Sequence, residues 1–171
     1  MDEWIAGFAR QGWHDQLAVL LQVGYAMLLG GAIGVERELK SRPAGFRTHM
    51  LVAGAAALLV GLGDLLANHY EARAEHDILR LDAMRLISAV VAAVGFLGAG
   101  AIFRRSGGDS VSGLTTAASL LMAATIGIAA GVHANLLALG ATLLTLATLV
   151  VLSWIERGAG KRDGGSGPRR R

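Results

Sequence analysis

The chain has 171 residues, 53% of them hydrophobic and 17% charged, with a mean hydropathy of +0.49. That is too apolar for a soluble domain of this length, so the first expected partner is a lipid bilayer. The complete lack of cysteine excludes a disulfide framework, a thiolate metal site and a cysteine nucleophile, while the basic balance (pI near 9.9) comes from cations that flank apolar segments and form no nucleic-acid surface.

Residues 1–15 place Trp4, Ile5, Phe8 and Trp13 ahead of the first apolar run, the pattern of a short interfacial segment with aromatic anchors. Asp2 and Glu3 give it an acidic start that suits a signal peptide poorly. Five apolar stretches follow, residues 16–35, 50–67, 83–103, 113–131 and 135–154, each long enough to cross the hydrocarbon core as a helix. Barrel strands would be about ten residues long and would alternate polar with apolar, which these do not. The predicted fold is therefore all-α, a polytopic membrane domain over residues 16–154. Residues 155–171, rich in Gly and Arg, read as a disordered basic tail able to touch anionic lipid.

The connections carry the charge, and carry it unevenly. "GVERELKSRPAGFRTH", residues 34–49, holds Arg37, Lys40, Arg42 and Arg47. On the same side fall Arg104 and Arg105 of the third connection and Arg157, Lys161, Arg162, Arg169, Arg170 and Arg171 of the tail. The other side holds only Arg10, Arg73, Arg80 and Arg85. The positive-inside rule then puts the N-terminus outside and the C-terminus in the cytoplasm, in an inner-type membrane.

Topology explains the cations but not Pro43, Gly45 or Thr48. Glu36 and Arg37 sit at the inner end of the first span, where a charge needs a partner, and the spacing predicts an ion pair between Glu36 and Arg47 across a sharp turn. Pro43 supplies a fixed φ for that turn and Gly45 is free to take a positive one. Gly30 with Gly34, Gly127 with Gly131, and Gly95 with Ala99 have the small-xxx-small spacing of close helix contacts in lipid. In the outer connection "NHYEARAEHDILRLD" the acids and histidines match no metal site, and Arg73 and Arg80 between them suit a solvated amphipathic helix. Asp64, near the outer end of its span, is a weak candidate for an ion path.

The fourth span opens "GLTTAAS", with Thr115 and Ser119 four residues apart and Thr116 beside them. Such hydroxyls commonly bond their own helix or a neighbour. Alternatively, the amide ends of the second and fourth helices, near Thr48 and Thr115, form a positive pocket that receives Glu36 or an anionic group of a partner. "GFLGAG" lies inside an apolar span and follows no strand, which excludes a phosphate loop. Ser119 and His133 lie at opposite ends of one helix and cannot work together as nucleophile and base, so no enzyme is expected. No cofactor and no metal site are expected either.

Taken together, "GGAIGVERELKSRPAGFRTHML", "GFLGAGAIF" and "GLTTAAS" resemble the signatures of the MgtC/SapB family of bacterial membrane proteins, over residues 30–131. The family pattern maps onto Gly34, Glu36, Arg37, Arg42, Ala44, Gly45, Arg47 and Thr48, then onto Gly95, Gly98, Gly100, Gly113, Thr115, Thr116 and Ser119. The acid and arginine that often precede the third helix correspond to Asp82 and Arg85. The chain departs at Ala83, where many relatives have proline, at Ser112, where a basic residue is common, and at Leu121, where an aromatic often stands. The resemblance implies a multi-pass inner-membrane protein tied to growth when magnesium is scarce and, in pathogens, to survival inside host cells. Many relatives add a soluble C-terminal domain, and the expectation here is a short form consisting of the membrane region.

Two functions compete on these grounds. One is a non-catalytic regulator that packs against another membrane protein through its glycine-rich helices. The other is a transporter or channel for magnesium or another ion, working as a homo-oligomer. Magnesium prefers oxygen ligands, whereas the inner mouth is dominated by arginine, so the regulator is the favoured expectation.

Overall fold

The computed structural model describes residues 13–71, 83–104 and 111–160. Five helices account for nearly all of them: α1 (Trp13–Leu39), α2 (Phe46–Glu71), α3 (Ala83–Ala101), α4 (Leu114–Gly131) and α5 (Asn135–Gly160). Lipid offers no partner to a backbone N–H or C=O, so apolar runs of this length satisfy themselves as helices. Helices α1 to α4 are each long and apolar enough to span a membrane, and the apolar part of α5 runs over Asn135–Val151. The third predicted span ends early: α3 stops at Ala101, and Phe103 belongs to a two-residue strand β1 (Phe103–Arg104) paired antiparallel with β2 (Val111–Ser112). At the chain ends, Trp13, His14 and Asp15 already belong to α1, while α5 continues through Gly160. Residues 1–12 of the predicted interfacial segment, residues 161–171 of the tail, and residues 72–82, with Asp82, lie outside the described residues.

The glycine pairs decide how the helices stack. A Cβ on Gly30 would lie 2.6 Å from the His49 carbonyl oxygen, and one on Gly34 would lie 2.6 Å from Phe46 Cα, so α1 rests directly on the backbone of α2. On the other side of α2, a Cβ on Gly127 would overlap the Ala53 carbonyl oxygen, and one on Gly131 would lie 2.8 Å from Val60 Cβ. Helix α2 is thus held between α1 and α4 by two GxxxG faces, as the spacing predicted. Ala26, Ile33, Ala53, Ala57, Ala123 and Ile126 fill the core between them, with Ala138 of α5 at its edge. A second cluster, with Val90 and Val94 of α3 against Leu120 and Ala124 of α4, fastens α3 to the outside of that trio.

Two helix ends are closed the same way. The Ser41 N–H donates to the Glu38 carbonyl (2.9 Å) and the Arg42 N–H to the Arg37 carbonyl (3.0 Å), with Ser41 at φ 51°. His133, at φ 61°, ends α4 likewise, with His133 N–H to Ala130 O and Ala134 N–H to Ala129 O, both 2.9 Å. Both are Schellman closures, in which the residue after the cap must turn left-handed. The predicted positive φ at Gly45 is therefore a correction: the helix end places that conformation at Ser41.

Candidate functional site

The α1–α2 loop and the start of α4 meet at one end of the bundle, where most of the predicted motif residues lie. The charges there differ from expectation. Glu36 does not pair with Arg47: it pairs with Arg37 and with Lys40, while Arg47 is exposed and makes no ion pair among the described residues. The reason is that α1 runs on to Leu39, so Lys40, directly after the last turn, stands at i,i+4 from Glu36. The Arg37 side chain is only 3% exposed, and the Lys40 ammonium also donates to the Leu149 carbonyl of α5 at 3.0 Å. The cluster therefore neutralises a buried cation and ties α1 to α5. Since Arg47 takes no part, Arg47→Ala should leave the thermal unfolding temperature in detergent unchanged, within about 0.5 kcal/mol. A clear loss of stability would restore the pair with Glu36.

Glu38 does something the sequence reading did not assign. Its carboxylate accepts from the Phe46 N–H at 2.9 Å and so caps α2. That occupies one of the two helix ends expected to stand open, and Thr48, in the first turn, is exposed. Gly45 sits against the Glu38 side chain, with room for no more than a hydrogen at its α-carbon before the carboxylate must shift. Arg85, in the first turn of α3, is exposed.

Sequence reasoning passed over His49. Its ring is fully buried between α2 and α4, with Nδ1 2.9 Å from the Gly45 carbonyl and Nε2 3.0 Å from Ser119 Oγ. A carbonyl can only accept, so Nδ1 carries a proton and donates it. The Ser119 hydroxyl also lies 2.9 Å from the Thr116 carbonyl, so its single proton is shared between that oxygen and His49 Nε2. A serine beside a histidine can begin a nucleophilic pair, but here both are sealed inside the bundle and the second ring nitrogen is on backbone. The pair acts as a polar pin between two helices. His49 shares a helical stripe with Ala53 and Ala56, both buried, and that spacing is the signal that could have found it.

Thr115 and Ser119, predicted on one face, separate in burial: Ser119 is inside and Thr115 exposed, and the buried threonine is Thr116. Gly113 precedes them at φ 94°, packed so closely on the Ala101 carbonyl that a Cβ there would overlap it. Ser41, Arg42 and Pro43 from one side and Ser112, Gly113, Thr115 and Thr116 from the other wall a cavity of about 220 Å³. In α3, Gly98 packs on Ala117, but Gly95 and Gly100 have nothing within 4 Å of a Cβ position.

At the opposite end of the bundle, the Gln22 amide meets His133 Nδ1 at 3.0 Å and the Tyr25 hydroxyl donates to the Asn135 carbonyl at 3.0 Å. These contacts anchor the α4–α5 turn to α1. Asp64 is exposed. Among the described residues no three His, Asp or Glu side chains gather in a metal-binding group.

The sequence profile of the MgtC family matches residues 23–158, wider than the motif region alone. Protein SapB of Bacillus subtilis is 35% identical over 148 residues, covering 86% of this chain and 62% of that one. Protein MgtC of Salmonella typhimurium is 37% identical over 133 residues, covering 78% and 52%. YhiD of Escherichia coli, whose name refers to magnesium transport, is 34% identical over 137 residues, covering 77% and 59%. The chain thus spans roughly half to three-fifths of the length of these relatives, and no solved structure matches it. With helices long enough to span a bilayer, a family profile over most of its length and relatives at this identity, the chain belongs to the MgtC family of multi-pass bacterial inner-membrane proteins.

Proposed function

We propose that this protein is a non-catalytic component of magnesium homeostasis that works by packing against another membrane protein and regulating it. The observation that carries this reading is the outer face of α3. Ser88, Ala92, Gly95 and Ala99 recur at helical spacing and are all exposed, while Val90, Val94 and Gly98 on the opposite side are buried against the bundle. The GxxxG faces of α1 and α4 are each filled by α2. The α3 face is the same device without an occupant among the described residues, and in lipid it suits the close approach of a partner's transmembrane helix.

The magnesium link comes from the family and from the name of the Escherichia coli relative. That name favours the competing reading, a magnesium transporter. Against it stands the neutralisation of Glu36 by Arg37 and Lys40, which leaves that carboxylate already satisfied by cations.

The chain has no cysteine, so single-cysteine variants are clean probes. In native membranes, Ala92→Cys should cross-link to a distinct membrane protein identified by mass spectrometry, and Leu136→Cys, exposed on α5, should not. Proteoliposomes holding the purified protein should show no magnesium flux above empty vesicles. Saturable flux would overturn the regulator, and an Ala92→Cys adduct of the chain with itself alone would make the α3 face a homo-oligomer contact.

A further inference from the structure

We propose that the cavity between the α1–α2 loop and the start of α4 is a binding site for a phosphate group. It is separate from the α3 face and does not depend on the reading above.

Three features converge on it. First, the N-terminus of α4 is uncapped. Its first internal hydrogen bond runs from the Ala117 N–H to the Gly113 carbonyl, and Gly113 offers no side chain, so the amides of Leu114, Thr115 and Thr116 have no partner within the helix. The α2 N-terminus differs, because the Glu38 carboxylate already occupies it. Second, Arg42 lines the cavity from the opposite wall and makes no ion pair among the described residues.

Third, Thr116 has an unused hydroxyl. Thr125, Thr142, Thr145 and Thr148 each donate to the carbonyl four residues back in their helix. Thr116 stands in the first turn, where the residue four back is Ser112, outside the helix, and its hydroxyl makes no hydrogen bond among the described residues. Thr116 is only 1% exposed. It is one of the residues that line the cavity. A buried hydroxyl donor, free helix amides and a guanidinium across a space of about 220 Å³ are the donor set that a tetrahedral oxyanion accepts. Among the described residues no carboxylate lines the cavity.

The phosphate can belong to a lipid headgroup, since the cavity is at an end of a membrane bundle, or to a small soluble phosphate. The test uses the full chain in two arms. In detergent, inorganic phosphate is titrated at constant ionic strength against chloride, with binding read by phosphorus NMR line broadening and by thermal unfolding. In nanodiscs, phosphatidic acid is compared with phosphatidylcholine by native mass spectrometry of retained lipid. Arg42→Ala and Thr116→Val should each weaken binding about tenfold, the loss of one charge-assisted hydrogen bond, in whichever arm binds. Thr116→Val keeps the shape of the buried side chain, so its ligand-free unfolding temperature shows whether the fold is intact. Arg47→Ala, an exposed arginine outside the cavity, should bind as the parent does.

Binding of inorganic phosphate that both cavity variants weaken identifies a soluble phosphate. Retention of phosphatidic acid alone, lost in both variants, identifies a headgroup. If neither ligand binds, or if Arg47→Ala weakens binding as much as Arg42→Ala, the site is overturned.

Discussion

Gly127→Ala should lose about 3 kcal/mol of stability, or fail to accumulate as folded protein, although it adds one methyl group to a helix in lipid. The added Cβ would overlap the Ala53 carbonyl oxygen and lie 2.9 Å from its carbonyl carbon and 3.0 Å from its Cα. All three atoms are backbone of α2, so no side chain can rotate away. Helix α2 cannot retreat either, because Gly30 and Gly34 of α1 press on its other side. The control is Gly95→Ala, where nothing lies within 4 Å of the new methyl and where alanine suits the helix better than glycine. Thermal unfolding in detergent should show a large fall for the first and none for the second. Equal effects would mean that the α2–α4 contact is looser than its geometry.

The contrast between those glycines marks how far the sequence could be read. Hydropathy and length located the helices, because an apolar run of this length in lipid has almost no alternative to being one. GxxxG spacing identified Gly30, Gly34, Gly127 and Gly131 as contact residues, and each is one. Spacing alone could not tell that the face with Gly95 and Ala99 lacks an occupant among the described residues, since that depends on which side of α3 turns to α4.

The charged loop was legible as a cation-rich turn and illegible as a set of pairs. Pairing Glu36 with Arg47 assumed that α1 ended before Glu36; it ends at Leu39, which brings Lys40, the next residue, within reach at i,i+4. The positive φ fell on Ser41 and not Gly45 because a Schellman closure fixes its left-handed residue by counting from the helix end. The expected pocket joined the helix ends near Thr48 and Thr115; the observed cavity is lined by Thr115 but not by Thr48, since Glu38 covers the α2 terminus.

His49→Ala should cost about 3 kcal/mol, combining the empty volume of a fully buried ring with the loss of its bonds to Gly45 and Ser119. The share due to each bond can be separated by shape. An asparagine amide places its nitrogen where Nδ1 stands, so His49→Asn keeps the contact with Gly45 and gives up Ser119. A glutamine reaches the position of Nε2, so His49→Gln keeps the link to α4 and gives up Gly45. The Gly45 carbonyl also accepts from the His49 backbone N–H at 3.2 Å, so it is not left bare when the ring contact goes. Ser119 likewise retains the Thr116 carbonyl when His49 is removed. The helix-to-helix bond itself should therefore be modest, about 1 kcal/mol in a double-mutant cycle of His49→Gln and Ser119→Ala. Most of the loss in His49→Ala should then come from the void, and His49→Gln should recover more than half of it. If His49→Gln is as damaging as His49→Ala while Ser119→Ala is harmless, the ring is held for its contact with Gly45, and the pin between α2 and α4 carries no stability.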